Sequence, residues 1–296
     1  MNKLDLKTAS AWLVMLLVSL LPDVFFAEVL NLSVHLLWWK VGFSVLLFIL
    51  SFRLEMFRSL RIFFLLVAAV YLLEYAVGLL TGMQLWRNLL GGPEAGFSRE
   101  LLGIQLGRLL VSLALITGMF LLGWRREDFF LVPGKLNAPI QPVRWLGFPE
   151  ADPWTQFGGQ WAAYITLGTL AFLILAGRPS FNQVRQTLPL LPIVLLGAVL
   201  NAFNEEVTYR STLLASLEPG IGPRPALWIS AVFFGTAHFY GVPYGVIGVL
   251  MATFLGWIMG KAMLETRGFF WAWWIHFLQD VVIFYFLAMG SIVPGG

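Results

Sequence analysis

The chain contains no cysteine, which excludes disulfides, thiolate metal sites and a cysteine nucleophile. Charge is scarce as well: Asp, Glu, Lys and Arg make up 12% of the 296 residues, about half of the ~25% usual in soluble domains. Histidine occurs three times. No HExxH is present and no serine has an evident base beside it in sequence, so the zincin and serine-hydrolase motifs are missing. Internal repeats and low-complexity tracts are absent too. The formal charge of +3 is too small to argue for an acidic partner, and no nucleic-acid partner is expected. What is abundant is apolar surface, at 59% of residues with 26 Phe and 13 Trp. That composition describes a polytopic membrane protein.

A membrane-crossing helix takes ~20 mostly apolar residues. On that rule the fold expected is an all-α, polytopic membrane helical bundle of about eight to nine transmembrane helices. The candidate spans are 10–28, 35–52, 61–80, 101–123, 159–177, 187–216, 225–240, 244–263 and 269–289. The first apolar run follows Lys3 and Lys7 without a small-x-small cleavage pattern, so it is read as a retained helix. With the N-terminus in the cytoplasm, thirteen of the 19 Lys and Arg residues fall on inner segments, which favours an N-in, C-out arrangement; the membrane expected is a bacterial plasma membrane. Three regions are expected: N-terminal transmembrane helices over 1–123, a cytoplasmic or interfacial connector over 124–158, and a catalytic core of four helices within 159–296. The connector is rich in Pro and Trp, which suits a surface-lying segment with aromatic anchors. Gly103/Gly107 and Gly256/Gly260 have the spacing for close helix contact within the bundle.

The stretch from Asn201 to Asp280 carries ionisable residues where lipid-facing helices have none. A charged side chain at membrane depth costs at least ~2.5–3.5 kcal/mol on insertion scales and normally faces a bundle interior with a function. At 1.5 Å per residue, Glu205 and His238 both lie roughly 18–20 Å from the Glu218–Arg224 turn, and His276 and Asp280 roughly 12 and 18 Å from the start of the last span near Gly268 on the same side. Glu206 and Arg210 are i,i+4 neighbours suited to a salt bridge, as are His276 and Asp280 for a joint target. Glu205 is rotated about 100° from Glu206. The simplest arrangement has Arg210 compensating Glu206 and leaves Glu205 free to work with His238. Glu74 and Arg108 also sit inside apolar runs, and are expected to pair with each other or snorkel outside the site. His35, near a helix start, reads as a packing residue, and Phe269–Trp274 as an interfacial aromatic belt.

A Glu and a His converging in a mostly dry cavity can deprotonate water, and a second His can donate to the oxyanion of a tetrahedral intermediate. Alternatively, Glu205, His238 and His276 could ligate a divalent metal such as Zn, with water in the open position.

EExxxR at Glu205–Arg210, FxxxH at Phe234–His238 and HxxxD at His276–Asp280 resemble the three motifs of the CPBP (Abi, type II CAAX protease-like) intramembrane proteases. The resemblance covers about residues 187–290. It implies that Glu205 and His238 activate the hydrolytic water, that Glu206 and Arg210 orient the site, and that His276 with Asp280 forms an oxyanion hole or a further ligand position. The third motif of that family often ends in Asn. An ionised Asp280 cannot donate a hydrogen bond; as an acceptor it could fix the tautomer of His276 or favour a cation. The function expected is an intramembrane endopeptidase acting on a membrane-associated peptide or protein, its site opening toward the cytoplasm and its surroundings the lipid bilayer. The alternatives are a proton- or cation-coupled transporter, or a non-catalytic membrane scaffold or immunity protein.

Overall fold

Within a bilayer core the backbone can satisfy its N–H and C=O groups only internally, so apolar runs of this length become helices. A computed structural model describes residues 3–91 and 95–292; the outermost residues of the regions expected at 1–123 and 159–296, and positions 92–94, lie outside the described residues. The principal helices are α1 (Lys3–Val18), α2 (Leu37–Leu50), α3 (Arg61–Thr81), α4 (Phe97–Leu121), α5 (Trp154–Gly177), α6 (Phe181–Ile221), α7 (Pro223–Ala237), α8 (Val246–Thr266) and α9 (Phe270–Ile292). Among the described residues there is no strand, only isolated bridges joining Pro139 to Pro153 and Val143 to Phe148. The all-α expectation holds.

Six of these helices are long and apolar enough to cross a membrane, and a seventh span results if α1 and the following Leu21–Val29 helix, bent by 46°, are taken together. The expected eight to nine are not confirmed. At 1.5 Å per residue α2 and α7 reach only about 21–23 Å, short of the ~30 Å hydrocarbon layer. By contrast α6 runs through 41 residues without interruption. The break expected at Glu218–Arg224 narrows to Gly222, whose φ of +86° suits a residue without Cβ. Pro223 then opens α7, where its missing N–H is not needed. Many apolar side chains on the outer faces are exposed, Leu121 and Leu175 among them, and these meet lipid in an integral membrane protein.

The connector forms an ordered strap docked on the bundle. Phe129, Phe130 and Ile140 are buried in the main core. Its backbone is tied to the ends of α8 and α9: Lys135 N–H donates to Thr266 O at 2.8 Å and Phe269 N–H to Val132 O at 2.7 Å. The Lys261 ammonium donates to Gln141 O at 2.9 Å and also pairs with Glu265. Glu265 in turn accepts from Gln141 N–H at 3.1 Å and Trp154 Nε1–H at 2.9 Å. Where the strap crosses Gly268, a Cβ on Gly134 would lie 2.6 Å from the Gly268 Cα, a contact possible only between two glycines. Trp271, expected in an interfacial belt, is buried and donates to Leu136 O at 2.9 Å. Both GxxxG pairs are used for contacts inside the bundle: Gly103 and Gly107 face Leu90, Val77 and Thr81, while Gly256 and Gly260 face Phe234, Arg210 and Leu227.

Candidate active site

Helix α6 carries Asn201, Asn204, Glu205 and Thr208 at i, i+3, i+4 and i+7, one polar stripe along the helix. Directly after Glu206 the helix widens into a π-helical stretch, Val207–Leu214, which contains Arg210. Such wide turns occur preferentially at functional sites. Arg210 Nη1–H donates to Glu206 Oε1 at 3.0 Å, and both side chains are fully buried. The guanidinium carbon stands 4.1 Å from the centre of the Phe234 ring, while Nε and Nη2 have no hydrogen-bond partner. Gly256 makes room for this stack, because a Cβ there would come within 3.0 Å of Phe234 and 3.1 Å of Arg210 Nη2.

Helices α7 and α9 bring the histidines to the same place. His276 Nδ1 lies 2.8 Å from Glu206 Oε1, and His238 Nδ1 lies 2.8 Å from Phe234 O. Carboxylate and carbonyl oxygens only accept, so in both rings Nδ1 carries the hydrogen and Nε2 is the inward-facing nitrogen. Both Nε2 atoms face Glu205 Oε2, at 3.9 Å from His238 and 3.6 Å from His276. That oxygen is buried and has no hydrogen-bond partner. Asp280 Oδ2 is 3.7 Å from His276 Nε2 and accepts from Asn201 Nδ2–H at 3.0 Å. Glu205, Glu206, Arg210, His238, His276 and Asp280 therefore form one cluster, whereas His35 is exposed and apart.

Arg108 belongs to the cluster too, contrary to the expectation that it snorkels or pairs with Glu74. Its Nη1 donates to Asn201 Oδ1 at 2.6 Å and to Glu205 Oε1 at 3.0 Å. Helix α4 also supplies Gln105, which donates to Asn201 Oδ1 at 3.1 Å, and Ser112, which donates to Asn204 Oδ1 at 3.0 Å. Gln105, Arg108 and Ser112 are spaced i, i+3, i+7 and match the α6 stripe, a pairing pattern that a search for polar residues at helical intervals would have found.

The metal reading fares differently. Among the described residues no three His, Asp or Glu side chains are disposed to hold a metal ion. Glu205 Oε1 already faces the Arg108 guanidinium, a fixed cation that competes with any metal for the same carboxylate.

Four helices thus converge on a buried carboxylate flanked by two inward imidazole nitrogens. Residues 187–282 match the family model described as type II CAAX prenyl endopeptidase, Rce1-like. This agrees with the family suggested by the three motifs, and at family level it supports a CAAX protease-like peptidase. The Rce1-like segment contains all six motif residues and Asn201; Gln105, Arg108 and Ser112 lie outside it. No curated protein and no solved structure matches the chain.

Proposed function

We propose that the protein is an intramembrane endopeptidase that hydrolyses a peptide bond with a water activated by Glu205 and His238. The observation that supports this reading is the unpartnered Glu205 Oε2, buried and faced by Nε2 of both histidines. A water on that oxygen would give one proton to the carboxylate while His238 Nε2 accepts its second hydrogen, turning the water's lone pair toward a substrate carbonyl. His238 holds this aspect because Nδ1–H is fixed on Phe234 O. His276, held by Glu206 through Nδ1–H, presents Nε2 to the same space and in its cationic form donates to the oxyanion. Collapse of the tetrahedral intermediate breaks the C–N bond, and the proton held by Glu205 passes to the departing amine. Arg210 pairs with Glu206 at 3.0 Å and holds it in place. The substrate is a peptide or membrane-protein segment reached within or beside the bilayer, and with an N-in, C-out topology the site opens toward the cytoplasmic side.

The test is N- and C-terminal peptide profiling of membranes from cells carrying wild type or Glu205→Gln. New termini seen only with the wild type are expected. Identical profiles, with the variant folded and present at equal level, would overturn the endopeptidase reading and favour transport.

A further inference from the structure

Glu205 has two oxygens with different tasks, and the second task is assigned by residues outside the three motifs. We propose that Arg108 and Asn201 are positioning residues that hold Glu205 Oε1 and so aim Oε2 at the histidines. This rests on the endopeptidase reading of the site.

The side-chain amide of Asn201 is saturated: Oδ1 accepts from Arg108 and Gln105, and Nδ2 donates to Asp280 at 3.0 Å and to Glu205 Oε1 at 3.4 Å. One amide, 5% exposed, thereby ties α4 to α6 and α9. The two N–H groups of Arg108 Nη1 divide between Asn201 Oδ1 and Glu205 Oε1. With Oε1 thus engaged twice, rotation of the carboxylate about its terminal bond is blocked and Oε2 is left facing His238 and His276. A carboxylate free to turn would present either oxygen in either direction.

The remainder of the Arg108 guanidinium is open. Its side chain is 51% exposed, and it lines a cleft of about 530 Å³ between α3 and α4 with Glu74, Thr81 and Glu100. Arg210 by contrast is sealed, at 0% exposure. This difference in access separates positioning from mere packing, because a small guanidinium from solution can reach one site and not the other.

The experiment uses the full chain in detergent micelles and a substrate found by the terminus profiling. Arg108→Gly is expected to lower kcat about 100-fold, the order of loss for an ångström-scale misplacement, with KM little changed. Arg108→Lys keeps the charge and is expected to retain part of the activity. Added methylguanidinium should restore a measurable part of the lost turnover in Arg108→Gly, and none in Arg210→Gly. Wild-type turnover in Arg108→Gly, or a loss in folded protein that methylguanidinium leaves unchanged, would overturn the inference. A second measurement needs no substrate. In thermal unfolding, Arg108→Gln and Glu205→Gln are expected to be non-additive, as are Asn201→Leu and Glu205→Gln, and additive shifts in both cycles would overturn the clamp. Should the wild type release no peptide, the endopeptidase reading fails while these cycles still decide the clamp.

Discussion

Glu206→Gln is the single change with the clearest expected cost. Arg210 has no exposed atoms, one anionic partner at 3.0 Å, and two nitrogens without hydrogen bonds. Replacing that partner leaves a guanidinium enclosed by the faces of Phe234 and Tyr209, at 4.1 and 5.8 Å. A stacked aromatic face is worth about 2 kcal/mol when desolvated, while stranding one member of a buried pair costs about 3–5 kcal/mol. The aromatic contact is already present in the wild type, so it cannot offset the loss. Arg210→Met is expected to cost a similar amount, because Glu206 then keeps only the His276 Nδ1–H. In the double variant both charges are gone, and the amide oxygen introduced by Glu206→Gln can still accept from His276. Burying Met in place of a buried ion pair is often neutral or better, so the double variant should unfold close to the wild type and above either single one. Thermal unfolding in detergent micelles, followed by tryptophan fluorescence, measures this directly. Losses that simply add in the double variant would refute the reasoning, since they would mean that neither charge depends on the other.

Further outcomes follow from individual contacts. Glu205→Gln removes the base and should lower peptide release about 10²–10⁴-fold, measured by the rate of terminus formation. Asp280→Asn keeps an oxygen for Asn201 Nδ2–H and should change stability by less than about 1 kcal/mol, whereas Asp280→Leu strands that donor at about 1–3 kcal/mol; unfolding midpoints separate the two. Gly134→Ala puts a Cβ 2.6 Å from the Gly268 Cα at a φ of +81° and should cost about 1–3 kcal/mol by overpacking. Limited proteolysis would then show faster cleavage within 124–153 than in the wild type.

The six motif residues were legible because ionised groups in apolar helices are rare, and because helical rise alone places Glu205, His238 and Asp280 at one depth. Amides and hydroxyls carry no such signal. Asn201, Asn204, Gln105 and Ser112 look ordinary one at a time, and only the matching intervals on two helices set them apart. Arg108 lies 97 positions from Glu205 in sequence, so a lone Arg in an apolar run reads as a snorkelling residue until the helices are paired. The π-helical stretch after Glu206 has no evident compositional mark, since Val207–Leu214 contains neither the Gly nor the Pro that would flag a disturbed helix. For the connector, prolines and tryptophans suit a surface-lying segment and a docked strap equally well. The docking runs through main-chain groups such as Thr266 O and Val132 O, which every sequence possesses. The break at Gly222 was visible as a Gly-Pro step, but its narrowness depends on Pro219 being accepted inside the helix.

The strap over the ends of α8 and α9 has a practical consequence for mapping topology. Reporter tags and protease sites are usually placed in the longest connection between hydrophobic runs, which here is residues 124–158. An insertion there would part Lys135 from Thr266 and Val132 from Phe269, and would report on a bundle it had already loosened. The exposed Arg178, in a left-handed turn between α5 and α6, offers a position whose backbone N–H bonds only locally, to Ile174 O, among the described residues.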